Sequence, residues 1–269
     1  MIRAVVFDWA GTVVDHGSLA PMGAFVRAFA EFGVPISIAD ARGPMGSAKR
    51  DHIKAVGALP HVAAGWRAAQ GSEFDDTAID RIFAVFEPMN VASVSAHAAL
   101  IPGAAETLAW CAARNIRIGA TTGYTRPIMA VLAPLAAAQG FTPEITICAG
   151  DMAAGRPAPL QMWQVMATMG VHPAHAVVKV DDTPVGIGEG RTAGTWAIGL
   201  ALTGNMAGLT LEDLTALDAA ETAALRARAS APLFAAGAHL VIDGIADLPA
   251  AIELLEARIA AGERPGAFG

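Results

Sequence analysis

With 269 residues the chain is long enough for one domain or for a core with an insertion, and a 54% hydrophobic composition can fill a sizeable interior. A mean hydropathy of +0.45 raises the question of a membrane, but Ala and Gly supply much of it and no run reaches the roughly 18–20 apolar residues of a bilayer span. A net charge of −7 argues against nucleic acid as a main partner, and without a basic region leading into an apolar stretch and cleavage site, a soluble cytoplasmic protein is expected.

The first predicted element is a buried-type strand, Ala4–Phe7, running into Asp8-Trp9-Ala10-Gly11-Thr12. A carboxylate delivered by such a strand into a glycine-containing turn suits a phosphoryl-transfer nucleophile. It attacks phosphorus, the turn leaves room for the phosphoryl group, and the strand end holds the geometry. About a hundred residues then pass before the next predicted strand, far more than a crossover helix requires. That interval carries Met22, Phe25, Val26, Phe29 and Phe32 at helical spacing, so it has an apolar face of its own. A small helical insertion over 17–98 is expected, with the Phe stripe as its core rather than as substrate contacts.

Ile101-Pro102-Gly103 punctuates the return. A helix over Ala104–Ala113 and a strand over 116–120 lead into Thr121-Thr122-Gly123-Tyr124. Further strands are predicted at 145–148, 176–180, Trp196–Leu200 and Leu240–Ile242, with a helix over Leu160–Met169. The alternation predicts an α/β fold, a doubly wound parallel sheet of Rossmann-like form carrying an inserted α-helical cap. Such sheets place their sites at strand ends. The final Gly262-Glu263-Arg264-Pro265-Gly266 reads as a loose end. Cys111 and Cys148 form neither metal spacing nor a disulfide framework. Only three of eighteen cationic residues are lysines, Lys49, Lys54 and Lys179. A chain that uses Arg for solvated charge keeps Lys where an amine is needed, though genomic base composition produces the same bias.

The Asp8–Thr12 stretch resembles motif I of the haloacid-dehalogenase-like phosphotransferases, usually Asp-x-Asp-x-Thr. Ala10 replaces the second Asp, which in ordinary phosphatases of that superfamily protonates the leaving alkoxide. Such a chain is either inactive or expels another kind of leaving group. Thr122-Gly123 resembles the second motif, and the resemblance assigns phosphoryl binding to Gly11, Thr12, Thr122 and Gly123. Arg156, in Gly155-Arg156-Pro157-Ala158-Pro159, stands where the third motif usually carries Lys. Its guanidinium can bridge the nucleophile and a phosphoryl oxygen. Val178-Lys179-Val180-Asp181-Asp182-Thr183 resembles the fourth motif, whose acid binds Mg²⁺. The implied protein ligands are Asp8, the Ala10 carbonyl and Asp182. One departure is Gly186, where many members carry a further Asp; Asp181 or water would compensate.

Pro44-Met45-Gly46-Ser47-Ala48-Lys49-Arg50-Asp51-His52-Ile53 closely resembles the cap signature of the phosphonoacetaldehyde hydrolase family, whose members also have Ala at the position of Ala10. The resemblance implies a catalytic core over 1–16 and 99–269, with a cap over 17–98 carrying Lys49. It implies a Schiff base between Lys49 and the aldehyde of phosphonoacetaldehyde, phosphoryl transfer to Asp8, and release of acetaldehyde and phosphate in 2-aminoethylphosphonate degradation. A homodimer through the caps is implied too.

The chemistry couples Ala10 to Lys49. Breaking a carbon–phosphorus bond would expel a carbanion, which an acid protonating oxygen does not rescue, whereas an iminium is an electron sink. Imine formation needs a neutral amine, and lowering a lysine pKa from about 10.4 to about 8 takes roughly 3 kcal/mol of environment. Apolar burial around Met45, the nearby Arg50 and the positive start of the following helix are the expected sources. Lys54, five residues on, faces away. His52 shares the Lys49 face and serves either as a proton relay or as a structural hydrogen bond. Tyr124 is expected in the same network, and Met45 packs against substrate and Lys49. The rivals are a phosphate-ester phosphatase or phosphomutase, disfavoured by Ala10, and a silent binding protein, disfavoured by Asp8, Thr122, Arg156, Asp182 and Lys49.

Overall fold

A computed structural model describes residues 1–266. Its sheet contains β1 (Ala4–Phe7), β2 (Arg117–Thr121), β3 (Thr146–Ile147), β4 (Val177–Asp181), β5 (Trp196–Leu200) and β6 (Leu240–Ile242). All pairings are parallel, in the order β3-β2-β1-β4-β5-β6. This is the expected doubly wound α/β sheet.

Central placement of β1 follows from its composition. Val5 and Phe7 point into one apolar cluster with Val178, Val180 and Ile198, while Ala4 and Val6 point into another with Met162 and Val165. A strand apolar on both faces is stable only with helices on both sides. Complete burial of Phe7 contributes about 1.5–3 kcal/mol.

β2 and β4 each lie one residue later than the predicted apolar runs. Thr121 still pairs with Ile147, and Asp181 with Gly199, because ladders are built by backbone groups whatever the side chain. Two polar side chains therefore sit on the last residues of strands. β3 is shorter than expected, with only two residues at the sheet edge.

The first five of the helices that follow β1 are α1 (Ala20–Ala30), α2 (Ile38–Arg42), α3 (Lys49–Gly57), α4 (Pro60–Gln70) and α5 (Asp76–Val94). They enclose a cluster of their own, including Met22, Phe25, Phe29, Ile53, Trp66, Ile82 and Phe86. Val26 and Phe32 pack partly buried against it, as a stripe of helical period requires. The rings of Phe25 and Phe86 stack at 4.2 Å and join α1 to α5. Local signals fix the ends. Ser37 and Asp40 form a capping box on α2, and Asp75 accepts the Ala78 N–H at the start of α5. Ahead of α1, the carboxylate of Asp15 accepts the N–H groups of Leu19 and Ala20.

The remaining helices are α6 (Ala104–Ala113), α7 (Arg126–Ala137), α8 (Leu160–Met169), α9 (Pro184–Thr192), α10 (Leu211–Ala216), α11 (Ala219–Ala235) and α12 (Leu248–Ala260). The expectation of a loose end is corrected. Pro265 is buried, its carbonyl accepts from Arg191 and lies 2.8 Å from His239 Nε2, and Glu263 pairs with Arg258. Arg191 and His239 are distant from Pro265 in sequence, so local composition gave no sign of them. Among the described residues no helix is long and apolar enough to cross a membrane.

Candidate active site

Chemistry-bearing side chains converge at the C-terminal ends of β1, β2 and β4. Asp8, the residue after β1, accepts a 2.7 Å hydrogen bond on Oδ1 from Arg156 Nη1. Arg156 also donates to Thr121 Oγ1 at 2.6 Å, and its Nε lies 3.0 Å from Glu189 Oε2. Burial alone would push Arg156 down, but Glu189, Asp8 and Asp181 more than offset it and hold the guanidinium above its ordinary range. The arginine is thus a fixed cation against the carboxylate of Asp8.

Beneath it lies Lys179, fully buried. Its Nζ donates to Thr121 Oγ1 at 2.7 Å and lies 3.1 Å from Asp181 Oδ2 and 3.3 Å from Glu189 Oε2. Thr121, Lys179 and Glu189 were not singled out by sequence reasoning as site residues. Lys179 carried a signal, as one of three lysines and a lone cation inside an apolar run; Glu189, on α9, carried none.

Asp8, Asp181 and Asp182 each place a carboxylate oxygen within 4.8 Å of the others. Burial raises Asp8 to about 6, with Asp181 adding to the effect and Arg156 and Lys179 opposing it. Asp182 is pushed well above its ordinary range by burial and by Asp181 and Asp8. Thr12 Oγ1 donates to Asp182 Oδ1 at 3.3 Å, and the Asn205 N–H donates to Oδ2 at 2.6 Å. Four buried carboxylates, Asp8, Asp181, Asp182 and Glu189, face two buried cations, Arg156 and Lys179. The excess of two negative charges, the crowding of three acids and the all-oxygen donor set fit a hard divalent cation. Gly186 now has a physical reason. A Cβ there would come within 1.8 Å of Asp181 Oδ2, so the carboxylate of Asp181 fills the room that a side chain at 186 would need.

In front of the acids a pocket is lined by Asp8, Ala10, Thr122, Gly123, Tyr124 and Thr183 of the sheet core and by Ser18, Met45, Gly46 and Lys49. Of the sequence-predicted residues, these therefore meet in one cavity: Asp8, Ala10, Met45, Lys49, Thr122, Gly123 and Tyr124. Arg156, Thr12 and Asp182 stand behind Asp8 and the Gly11 turn, where a Cβ on Gly11 would lie 2.1 Å from Asp182 Oδ2. Ser18 and Thr183 were missed in sequence.

The loop before α3 is pressed tightly onto the core. Gly46 adopts φ +92°, and a Cβ there would fall 2.3 Å from Thr183 Oγ1. A Cβ on Gly123 would fall 2.7 Å from the Ser47 carbonyl. Only glycine meets both the backbone and the contact requirement at position 46.

Lys49, the first residue of α3, is 3% exposed. Its Nζ lies 3.9 Å from Met45 Sδ and 5.0 Å from the Tyr124 ring centroid. Burial lowers its pKa to about 8, against a raising influence from Asp8 and with help from Arg156. The expected contribution of Arg50 is corrected: that side chain turns outward to Asp80, at 2.7 Å, and Asp76, at 3.5 Å. Lys54 is exposed. His52 is buried in the insert, stacked on Phe25 at 3.9 Å, with Nε2 2.7 Å from the Ala41 carbonyl. Burial and the charge of Lys49 hold it well below its ordinary pKa. Among the described residues, its Nδ1 and the Tyr124 hydroxyl have no hydrogen-bond partner.

Residues 2–194 match the family model of haloacid dehalogenase-like hydrolases. The phosphonoacetaldehyde hydrolase of Paraburkholderia xenovorans (strain LB400) is 52% identical, covering 98% of this chain and 99% of its own. That of Hahella chejuensis is 44% identical over 100% of this chain and 91% of its own. The crystal structure of a phosphonoacetaldehyde hydrolase-like protein from Oleispira antarctica superposes with a TM-score of 0.96 at 39% identity, over 98% of this chain and 96% of that one. A β-phosphoglucomutase from Clostridium difficile shares the fold alone, with a TM-score of 0.69 at 17% identity.

Proposed function

The chain belongs to the haloacid dehalogenase-like hydrolases and, within them, to the phosphonoacetaldehyde hydrolases; from that premise we propose that it cleaves phosphonoacetaldehyde through a Lys49 imine and an Asp8 aspartyl-phosphate. The observation that carries this reading is the pairing, in one pocket, of a buried lysine lowered to about 8 with a carboxylate held by Arg156. A nucleophile for carbon and a nucleophile for phosphorus face the same small space.

The neutral amine of Lys49 adds to the aldehyde carbon, and uptake of a proton with loss of water leaves an iminium. An Asp8 oxygen then attacks phosphorus while the carbon–phosphorus electron pair moves into the iminium, giving an enamine and aspartyl-phosphate. Protonation of the enamine and addition of one water release acetaldehyde and restore Lys49. A second water frees phosphate from Asp8, so one water is consumed overall. Arg156 balances charge gathering on the phosphoryl oxygens. Met45, Tyr124 and Phe25 keep the amine in apolar surroundings, and Thr122 with the Gly11–Thr12 turn receives the phosphoryl group. Asp8, Asp181, Asp182 and the Ala10 carbonyl would hold Mg²⁺, which when bound supplies positive charge between two anions. The methyl group of Ala10 leaves no acid where an ester phosphatase protonates its alkoxide.

The degradation of 2-aminoethylphosphonate and a homodimer through the helical insert belong to the same reading and rest on the family resemblance, and cytoplasmic residence joins them on the sequence pattern given above. Phosphate release from phosphonoacetaldehyde and from phosphate esters tests it. Phosphonate cleavage should far exceed ester hydrolysis, and borohydride added with substrate should leave a reduced adduct on Lys49. Equal turnover of esters, or an adduct on Lys54, would sink the proposal.

A further inference from the structure

Arg42, the last residue of α2, reaches from the helical insert into the sheet core. Its Nη1 donates to the Gly17 carbonyl at 3.0 Å, the Asn205 carbonyl at 3.3 Å and Asn205 Oδ1 at 3.1 Å; its Nη2 donates to the Gly208 carbonyl at 3.1 Å. Asn205 answers, donating from Nδ2 to the Arg42 carbonyl at 3.3 Å. A Cβ on Gly208 would lie 2.6 Å from Arg42 Cζ, so the loop is shaped around the guanidinium. The same Asn205 gives its backbone N–H to Asp182 Oδ2 at 2.6 Å. On the other side, the carbonyl of Ala41, the neighbour of Arg42, receives Nε2 of His52, one turn from Lys49 on α3.

We propose that Arg42 is a positioning residue that locks the insert onto the core and joins the two halves of the site, Lys49 on one side and Asp182 on the other. A planar fork of several N–H groups is needed to span three backbone carbonyls and an amide; an ammonium at the same point cannot. Deeper burial of Lys49 and a fixed Asp182 are its two products. The assignment of a role to Lys49 rests on the functional reading above, whereas the lock itself does not.

The test uses the full-length protein with Arg42→Ala, Arg42→Lys, Gly208→Ala and Asn205→Ala, and three readouts. Hydrogen exchange is followed in 38–57 and 203–208, modification of Lys49 by an amine-directed acylating reagent is followed by peptide mass, and kcat/KM is measured with phosphonoacetaldehyde. Loss of several charge-assisted hydrogen bonds should speed Lys49 modification by at least about tenfold in Arg42→Ala, raise exchange in both segments and lower kcat/KM by at least about tenfold. Arg42→Lys should fall between. Millimolar guanidinium chloride should restore protection of Lys49 in Arg42→Ala, and ammonium chloride at the same concentration should not. Gly208→Ala crowds the guanidinium without removing it but also strains a backbone held at φ +67°. The fourth variant, Asn205→Ala, removes a side-chain acceptor of Arg42 and keeps the backbone N–H given to Asp182; it should also expose Lys49 and decides the matter if Arg42→Ala does not fold. Wild-type exchange and Lys49 reactivity in the folded variants would overturn the lock. Exchange and modification need no substrate, so a wild-type protein inactive on phosphonoacetaldehyde would defeat the functional reading and leave the lock to be judged separately.

Discussion

Lys49 Nζ stands 5.0 Å from the ring centroid of Tyr124, and among the described residues it has no carboxylate within 4.0 Å. Burial draws the amine toward its neutral form, and ring faces are weak compensation for a desolvated cation. A buried lysine held this way is a costly structural element and a good carbon nucleophile.

The first prediction follows the amine through pH. With Lys49 near 8, borohydride trapping with substrate should rise about tenfold per pH unit below that value and level off above it. Tyr124→Phe keeps the ring face and should leave the break where it is. A break near the ordinary lysine value would contradict the apolar environment as its cause.

A second prediction concerns stability. The folded pKa of Lys49 lies below the unfolded one, so the folded state binds fewer protons and the amine destabilises it fully below about 8. That penalty fades as pH climbs from about 8 toward 10.5. Lys49→Met should therefore add about 3 kcal/mol of stability at pH 7 while abolishing turnover. Urea unfolding at pH 7, 8.5 and 10 checks this; a gain that stays constant across the series would refute it.

The third separates the two covalent steps. Asp8→Asn should reduce phosphate release by at least about 10³-fold yet still permit trapping at Lys49. Chelation of divalent cations should likewise slow phosphate release and spare trapping, because imine formation uses Lys49 and none of the three clustered acids, Asp8, Asp181 and Asp182. Phosphate release indifferent to chelator would remove the metal from the account.

The fourth asks why position 10 is alanine. An added carboxylate in the pocket that Lys49 lines would favour the ammonium and raise the pH at which the amine becomes neutral. Ala10→Asp should lose phosphonate cleavage and move residual trapping to higher pH. Undiminished cleavage would mean that Ala10 has no mechanistic weight.

Local pattern disclosed much of the fold. Helices Ala104–Ala113 and Leu160–Met169 and strands Trp196–Leu200 and Leu240–Ile242 stand where apolar period and turn residues put them. The strand ends moved because hydrogen bonding, not hydropathy, stops a ladder. The part of the site that motifs do not cover was hidden for another reason. Thr121, Lys179 and Glu189 come from β2, β4 and α9 and acquire meaning only where those elements meet. Arg50 shows the opposite error. Adjacent in sequence to Lys49, it points away, since successive helical residues are about 100° apart around the axis.

The helical insert leaves the core just after Asp8 and returns before β2, the strand hydrogen-bonded to β1. It is therefore moored at both ends beside the phosphorus nucleophile. In the mechanism proposed above, a substrate already held by Lys49 would meet Asp8 at a local concentration set by chain geometry rather than by a second encounter. On the proposed mechanism, carbon chemistry would fall to the insert and phosphorus chemistry to the sheet, two parts of one chain with apolar clusters of their own. The sheet can keep its phosphoryl machinery unchanged while the inserted piece, together with the single residue at position 10, is exchanged as a unit for one that handles a different leaving group.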